Sequence, residues 1–340
     1  MRRVLALATV LAVIAGCDRL VDRQITRNLT RVDRSILTSP DLHVVLCGTG
    51  SPLADADRAG ACTAIIAGGQ IYLVDVGPGS WERVDLANLP TEAVRAVLLT
   101  HFHSDHIGDL GEAITQSWIA GRVEPLDVYG PPGTARVVDG FQQAYAQDAS
   151  YRVSHHGPDV LPPAGGTAVA HEVNLPQGAA DEVVVIDRDG LRVTMFPVDH
   201  RPVAPAVGYR FDYHGRSVVV SGDTAPSPVL EHHAKDADIL VHEALQPVMV
   251  LRAATIADGL GMTRLARLAR DIPAYHTTPA QAVTIARNAG VDHLVLTHLV
   301  PGPPNRLAKR MFMDGVPQDY PGEITLGEDG MHFQLAARSQ

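Results

Sequence analysis

The chain has 340 residues, a net charge of −10 and a sequence pI of about 5.8. That length suits one large α/β domain or two smaller ones, and an acidic balance opposes binding to phosphate backbones, which basic surfaces meet. No internal repeat or low-complexity tract is visible.

The N-terminus reads Arg2-Arg3, an apolar run from Val4 to Ala15, then Gly16 and Cys17. A positive start, an apolar stretch too short for a comfortable membrane span, and small residues at its end mark a secretory signal peptide. Ile14-Ala15-Gly16-Cys17 resembles the bacterial lipobox. That resemblance implies cleavage before Cys17, acylation of Cys17, and a lipid-anchored protein on the periplasmic face of a bacterial cell envelope. The alternatives are an uncleaved helical anchor or a start codon further along. The expected organisation is a leader at 1–16, a charged tether at 17–40 and a hydrolase domain at 41–335. Apart from Cys17 the cysteines are Cys47 and Cys62, an even pair that forms either a disulfide between neighbouring strands or two buried thiols.

Within the domain, Leu42–Gly48 reads as a strand leading into the loop Gly48-Thr49-Gly50-Ser51-Pro52. Ala61–Ala67 and Gln70–Val76 read as a strand pair around Gly68-Gly69, and Val94–Leu99 as a buried strand. A helix is expected from Gly111 to Ala120, a strand at Leu126–Tyr129 and a helix at Thr134–Gln147. Residues 149–182 hold Pro, Gly, His155, His156 and His171, and read as an insertion over the domain edge with His155 and His156 on an exposed loop. Strands return at Val183–Ile186, Leu191–Pro197, Val207–Tyr213 and Ser217–Ser221. Then come a helix at Ser227–Lys235, a strand at Ile239–His242, a helical region from Gln246, a helix at Pro279–Asn288 and a strand at Leu294–Thr297. Early strands, interleaved helices and a second half echoing the first imply two sheets face to face with helices outside, an αββα sandwich of the α/β class.

The most informative segment is Thr100-His101-Phe102-His103-Ser104-Asp105-His106, directly after the strand at 94–99. Three imidazoles and a carboxylate this close suit zinc, which takes nitrogen and oxygen ligands. His101 and His103 can point to one side while Asp105 and His106 face a second position. A two-metal hydrolytic site needs that layout, with one metal on the substrate oxygen and both sharing the attacking hydroxide. Three later strand ends carry Asp199-His200, Ser221-Gly222-Asp223-Thr224 and Thr297-His298. A lone histidine at a strand end is usually a satisfied polar residue. Joined to the first motif, however, the set reaches five His and two Asp, enough for two metals and a bridging carboxylate.

These residues resemble the metallo-β-lactamase fold superfamily, specifically its ribonuclease Z and arylsulfatase-like branch, over roughly residues 41–335. The resemblance rests on Gly48-Thr49-Gly50, Leu73-Val74-Asp75-Val76-Gly77, the His101–His106 motif, His200 before Gly208-Tyr209-Arg210, Ser221-Gly222-Asp223-Thr224, His242-Glu243-Ala244, His276-Thr277-Thr278 and Thr297-His298. It implies two Zn2+, with Mn2+ or Fe2+ suited to the same donors. One metal would take His101, His103 and His200. The other would take Asp105, His106 and His298, with Asp223 bridging and Asp75 structural behind the loop. It also implies that Asp105 or Asp223 orients the hydroxide and that His276, held by Glu243, protonates the leaving group. His242 would be either a support for the ligands or core. Homodimerisation is compatible with this branch.

The expected activity is hydrolysis of a small-molecule sulfate or phosphate ester, arylsulfatase-like or phosphodiesterase-like, by an exported, lipid-anchored enzyme. A ribonuclease Z-like endonuclease is the alternative. Three features count against it: the export signal, the acidic charge, and the absence of a long arm between His200 and Asp223, which 22 residues separate. Nucleic acid is therefore not expected as a partner. A lactonase of the same fold and a non-catalytic metal-binding lipoprotein are the remaining alternatives.

Overall fold

The computed structural model describes residues 18–175 and 182–338. The expected leader and cleavage site, with Cys17, lie outside the described residues. Residues 18–29 form an exposed helix, α1. The stretch after it closes onto the domain: the Asp33 amide donates to the Asn88 carbonyl at 3.3 Å, Arg34 pairs with Glu92 at 2.8 Å, and Ile36 and Leu37 pack on the core. No helix of the described residues is long and apolar enough to cross a membrane.

The first half carries β1 (Leu42–Gly48), β2 (Cys62–Ala67), β3 (Gln70–Val74), α2 (Ser80–Leu86), β4 (Val94–Leu98), α3 (Ser104–Ile107), α4 (Leu110–Ala120), β5 (Leu126–Gly130), α5 (Thr134–His156) and β6 (Ala168–Glu172). The second half carries β7 (Val183–Arg188), β8 (Leu191–Pro197), β9 (Val207–Tyr213), β10 (Arg216–Val220), α6 (Pro228–His233), β11 (Ile239–Leu245), α7 (Pro247–Gly259), α8 (Thr263–Asp271), α9 (Pro279–Ala289), β12 (His293–Val300), α10 (Arg306–Phe312), β13 (Glu323–Leu326) and β14 (His332–Leu335). One sheet has the order β14-β1-β2-β3-β4-β5-β6, the other β13-β12-β11-β10-β9-β8-β7.

Strand alternation explains the layering, because successive side chains leave a strand on opposite faces. From β1, Leu42, Val44 and Leu46 enter the core between the sheets, where they meet Met195, Tyr209, Phe211 and Val241. Val45 and Cys47 face the other way, into a second core with Trp81 of α2 and Leu110 and Ile114 of α4. On the far side, Leu240, Leu294 and Leu296 pack against Leu230 of α6, Val283 of α9 and Phe312 of α10. Strands covered on both faces read as continuous apolar runs, and this is the expected αββα sandwich. Cys47 and Cys62 are joined by a disulfide between β1 and β2.

Several boundaries differ from the sequence expectation. Helix α5 continues past Gln147 because no breaker occurs until Gly157, whose φ of +86° ends it. His155 and His156 are therefore exposed on a last helical turn rather than on a loop. The expected insertion at 149–182 begins as this helix and then supplies the short edge strand β6. The four-residue strands β13 and β14, half-exposed in alternation, are too short to stand out as apolar runs. Strands β3–β4–β5 and β10–β11–β12 are each parallel. Their carboxyl ends, together with the end of β8, converge on one edge of the sandwich, the usual place for a ligand in such sheets.

Candidate active site

The loop after β4 carries His101 and His103, and the single-turn α3 carries Asp105 and His106. Asp75, just past β3, anchors this loop. Its carboxylate accepts the Thr100 amide at 2.8 Å and the Thr100 hydroxyl at 2.7 Å, and meets Nδ1 of His106 at 2.8 Å. A carboxylate on one ring nitrogen fixes the tautomer and directs the other nitrogen outward. Gly60 and Gly77 let the loop sit close: a Cβ on Gly77 would lie 2.0 Å from the Asp105 carbonyl oxygen.

The second sheet supplies the facing residues. His200 follows β8, Asp223 follows β10, and His298 lies near the end of β12. Asp223 points one oxygen at each half of the cluster. Its Oδ2 lies 3.9 Å from His101 Nε2 and 3.7 Å from His200 Nε2, while its Oδ1 lies 3.4 Å from His106 Nε2 and 3.5 Å from His298 Nε2. Asp105 Oδ2 lies 3.1 Å from His298 Nε2 and 3.6 Å from His106 Nε2. Donor atoms of His101, His103, His200 and Asp223 fall within 4.8 Å of one another, as do those of Asp105, His106 and His298. The structure thus brings all seven residues expected as ligands into two adjoining groups.

These groups suit cations. His106 Nε2, His200 Nε2 and Asp223 Oδ1 are buried with no hydrogen-bond partner among the described residues, a costly state for polar atoms that a metal relieves. Burial lowers the pKa of His101, His103 and His200, which favours the neutral imidazole that ligates metals. Burial works against ionisation at Asp223, yet the His298 and His106 imidazoles hold it well below the usual carboxylate range. At His106 burial is likewise outweighed, by Asp223 and Asp75, and its pKa rises well above the ordinary value. Asp75 and His298 both adopt positive φ, 59° and 45°, and strained backbone of this kind clusters at functional sites. The donor set is that of a dinuclear metal site.

Beside it, His276 Nδ1 meets Glu243 Oε1 at 2.9 Å. The same oxygen accepts the amides of Thr277 at 3.0 Å and Thr224 at 3.2 Å. Burial lowers the His276 pKa, but Glu243 prevails and lifts it to about 9. A ring nitrogen of His276 lies within 4.8 Å of donors on Asp223 and His298. His242 is buried core, with Nδ1 on the Glu243 carbonyl at 2.7 Å. Sequence reasoning missed the Thr100 hydroxyl, the Thr224 and Thr277 amides, and the Tyr275 carbonyl, which meets His200 Nδ1 at 3.1 Å. Main-chain groups leave no side-chain signature, so only Thr100, abutting the histidine motif, was discoverable.

A family model described as a beta-lactamase superfamily domain matches residues 71–299. Ribonuclease Z of Mycobacterium marinum is 40% identical over 263 residues, 76% of this chain and 87% of the relative. Ribonuclease Z of Mycobacterium avium is 38% identical over 303 residues, 88% of this chain and 100% of the relative. The chain belongs to the ribonuclease Z branch of the beta-lactamase superfamily. Among solved structures, the short form of human tRNase Z superposes with a TM-score of 0.61 at 21% identity, covering 86% of this chain and 99% of that one. The chain is a metal-dependent hydrolase of ester bonds.

These relatives overturn the expectation of an esterase for small sulfate or phosphate esters, and with it the exclusion of nucleic acid. Net charge is a sum over the whole chain and does not report the charge that a phosphate meets at the site. Asp75, Asp105, Asp223 and Glu243 are buried there, where they hold histidines and suit cations. The short link between His200 and Asp223 is filled by β9 and β10 alone; a short link at that point does not exclude the branch.

Proposed function

We propose that this chain is a ribonuclease Z-like endonuclease that cuts a phosphodiester bond in RNA of the transfer-RNA precursor class. The observation that carries this reading is the 38–40% identity to ribonuclease Z relatives over three quarters or more of the chain. The site chemistry supports it. Zinc is the metal we assign, since imidazole and carboxylate are its ordinary donors. His101, His103 and His200 would hold one ion, Asp105, His106 and His298 the other, and Asp223 both. When bound, the two cations supply Lewis acidity, acidifying a water and neutralising charge that builds on the phosphate oxygens.

The chain's own residues do the rest. Asp105 faces the centre of the cluster, where its carboxylate orients the attacking water and accepts its hydrogen bond. His276 donates its Nδ1 proton to Glu243, which leaves Nε2 to deliver a proton to the departing ribose oxygen. Glu243 keeps that imidazole protonated at neutral pH and fixes its direction through the Thr224 and Thr277 amides. Asp75 and Thr100 hold the histidine loop rigid, so the groups need little reorganisation during the reaction.

The test is cleavage of a transfer-RNA transcript bearing a 3′ trailer by the purified, zinc-loaded chain, with Asp223→Ala as the blank and an aryl sulfate as a control substrate. A single endonucleolytic cut that the blank does not make is expected. A ladder of shortened products, or turnover of the sulfate with intact RNA, would refute the reading.

A further inference from the structure

Tyr275 ends a 3-10 turn, Ile272–Tyr275, between α8 and His276. Its carbonyl accepts the Nδ1 proton of His200, so the backbone here is tied to the site. Its ring stands edge-on to His200, with centroids 5.1 Å apart and planes at 74°, and leans on His276 at 4.8 Å. The residue is only half-buried, so it keeps accessible surface beside the two histidines. Trp81, Phe196 and Tyr209 are buried. Phe102, in the histidine loop, is half-buried like Tyr275, but its ring packs on the outer core and on Gly133, where a Cβ would lie 2.8 Å from it.

Packing His200 and His276 does not require an open ring. An aliphatic side chain would wall the imidazoles equally well. A nucleotide does require one. A phosphodiester that reaches the groove between the two halves of the cluster must be locally unpaired. Its flanking base then loses its stacking neighbours, and proteins replace them with aromatic side chains. Resting on the ribonuclease reading above, we infer that Tyr275 determines specificity: its ring stacks on the base flanking the scissile phosphodiester and selects an unpaired nucleotide at the cut.

The experiment compares kcat/KM of the full, zinc-loaded chain with that of Tyr275→Leu and Tyr275→Phe. The substrates are an RNA with a normal or an abasic nucleotide on either side of the cut, and an RNA abasic on both sides, a phosphodiester with no flanking base; bis(nitrophenyl) phosphate serves only to show that the native chain is an active hydrolase. Base–aromatic stacking corresponds to about 5- to 150-fold. Tyr275→Leu is expected to lose roughly that factor on normal RNA. The abasic change is expected to cost the native enzyme a similar factor and Tyr275→Leu nothing further. Tyr275→Phe is expected to keep most of the activity, and cleavage of the doubly abasic RNA to stay level in all three. Additive losses, a Phe variant as poor as Leu, or an equal loss on the doubly abasic RNA would each overturn the inference and reduce Tyr275 to a wall of the metal pocket. If the native chain cuts the diester but no RNA, the ribonuclease reading fails first, visibly in the unmodified enzyme, and the inference falls with it.

Discussion

The two sheets build their halves of the site in different ways. The first delivers His101, His103, Asp105 and His106 from one short loop, held by the Asp75 carboxylate through Thr100 and His106. The second delivers His200, Asp223, Glu243, His276 and His298 one at a time, from segments brought together by strand pairing. Val220 of β10 lies beside Val241 of β11, which lies beside Val295 of β12. The first half is therefore a local structure with a local anchor. The second is correct only when the whole parallel register is correct. Damage should follow the same division: changes to the compact half should act on one part of the cluster, and changes to the dispersed half on several functions together.

Asp223 joins the halves and should give the largest effect. Each of its oxygens faces a different group of imidazoles, so Asp223→Ala should weaken both metals and bring RNA cleavage to background. Metal analysis after dialysis, beside the cleavage assay, checks this. Two tightly held ions in the variant would show that the halves bind independently.

Glu243→Gln comes next, and it should separate chemistry from metal binding. General acid catalysis contributes about 10²- to 10⁴-fold, so kcat should fall within that range while both metals stay. The sign of the pH effect follows from His276. Its pKa is raised, to about 9, because Glu243 outweighs burial. The protonated, proton-donating form is thus present at lower pH and is lost as pH rises through that value. Gln carries no charge, so the alkaline limb of kcat should move to lower pH. Bound cations pull the limb down in both proteins, so the difference between their profiles is the readout. Superimposable profiles would remove His276 from the role of acid.

What was legible in the sequence follows the same division. The compact half could be read directly, because a local structure leaves its residues adjacent in sequence. Most strand positions were legible too: β1, β8 and β9 have the expected bounds, and each carries apolar residues at alternate positions, as in Leu191, Val193 and Met195 or Val207, Tyr209 and Phe211. In the dispersed half His200, Asp223 and His298 could be gathered as His or Asp at strand ends, but their division between two metals and the roles of Glu243 and His276 came only with the resemblance, because a single histidine such as His298 carries no pattern of its own. The substrate was misjudged because net charge is a whole-chain sum and says nothing of the charge at the site. Tyr275 passed unremarked because its carbonyl and its half-open ring acquire meaning only beside His200.

Asp75→Asn tests the compact half alone. An amide cannot accept from the Thr100 amide, the Thr100 hydroxyl and the His106 ring as a carboxylate does. Loss of such a support costs about 10- to 100-fold in metal affinity. The loss should be larger at the ion held by His106, whose ring Asp75 meets directly, and smaller at the ion held by His101, which Asp75 reaches through the Thr100 hydroxyl, as competitive titration with a chromogenic chelator would resolve. Native affinity at the His106 site would contradict the idea of a local anchor.

The smallest effect on the reaction should come from the Cys47–Cys62 disulfide, which braces the compact half from behind. The cysteines are 15 residues apart, with Cα atoms at 4.9 Å. The loop they close carries Ala61, whose amide donates to the Asp105 carbonyl at 3.0 Å. Closing a loop of that length restricts the unfolded chain by about 3 kcal/mol. The double variant Cys47→Ala/Cys62→Ala should therefore unfold about 2–4 kcal/mol more easily in denaturant. Its folded state should change little, because Val76 still donates to the His106 carbonyl at 2.8 Å and Asp75 still holds the loop. Metal affinity and turnover should accordingly drop less than in Asp75→Asn. If the disulfide variant lost metal as readily as Asp75→Asn, the histidine loop would depend on the strand pair behind it, and the compact half would be no more local than the dispersed one.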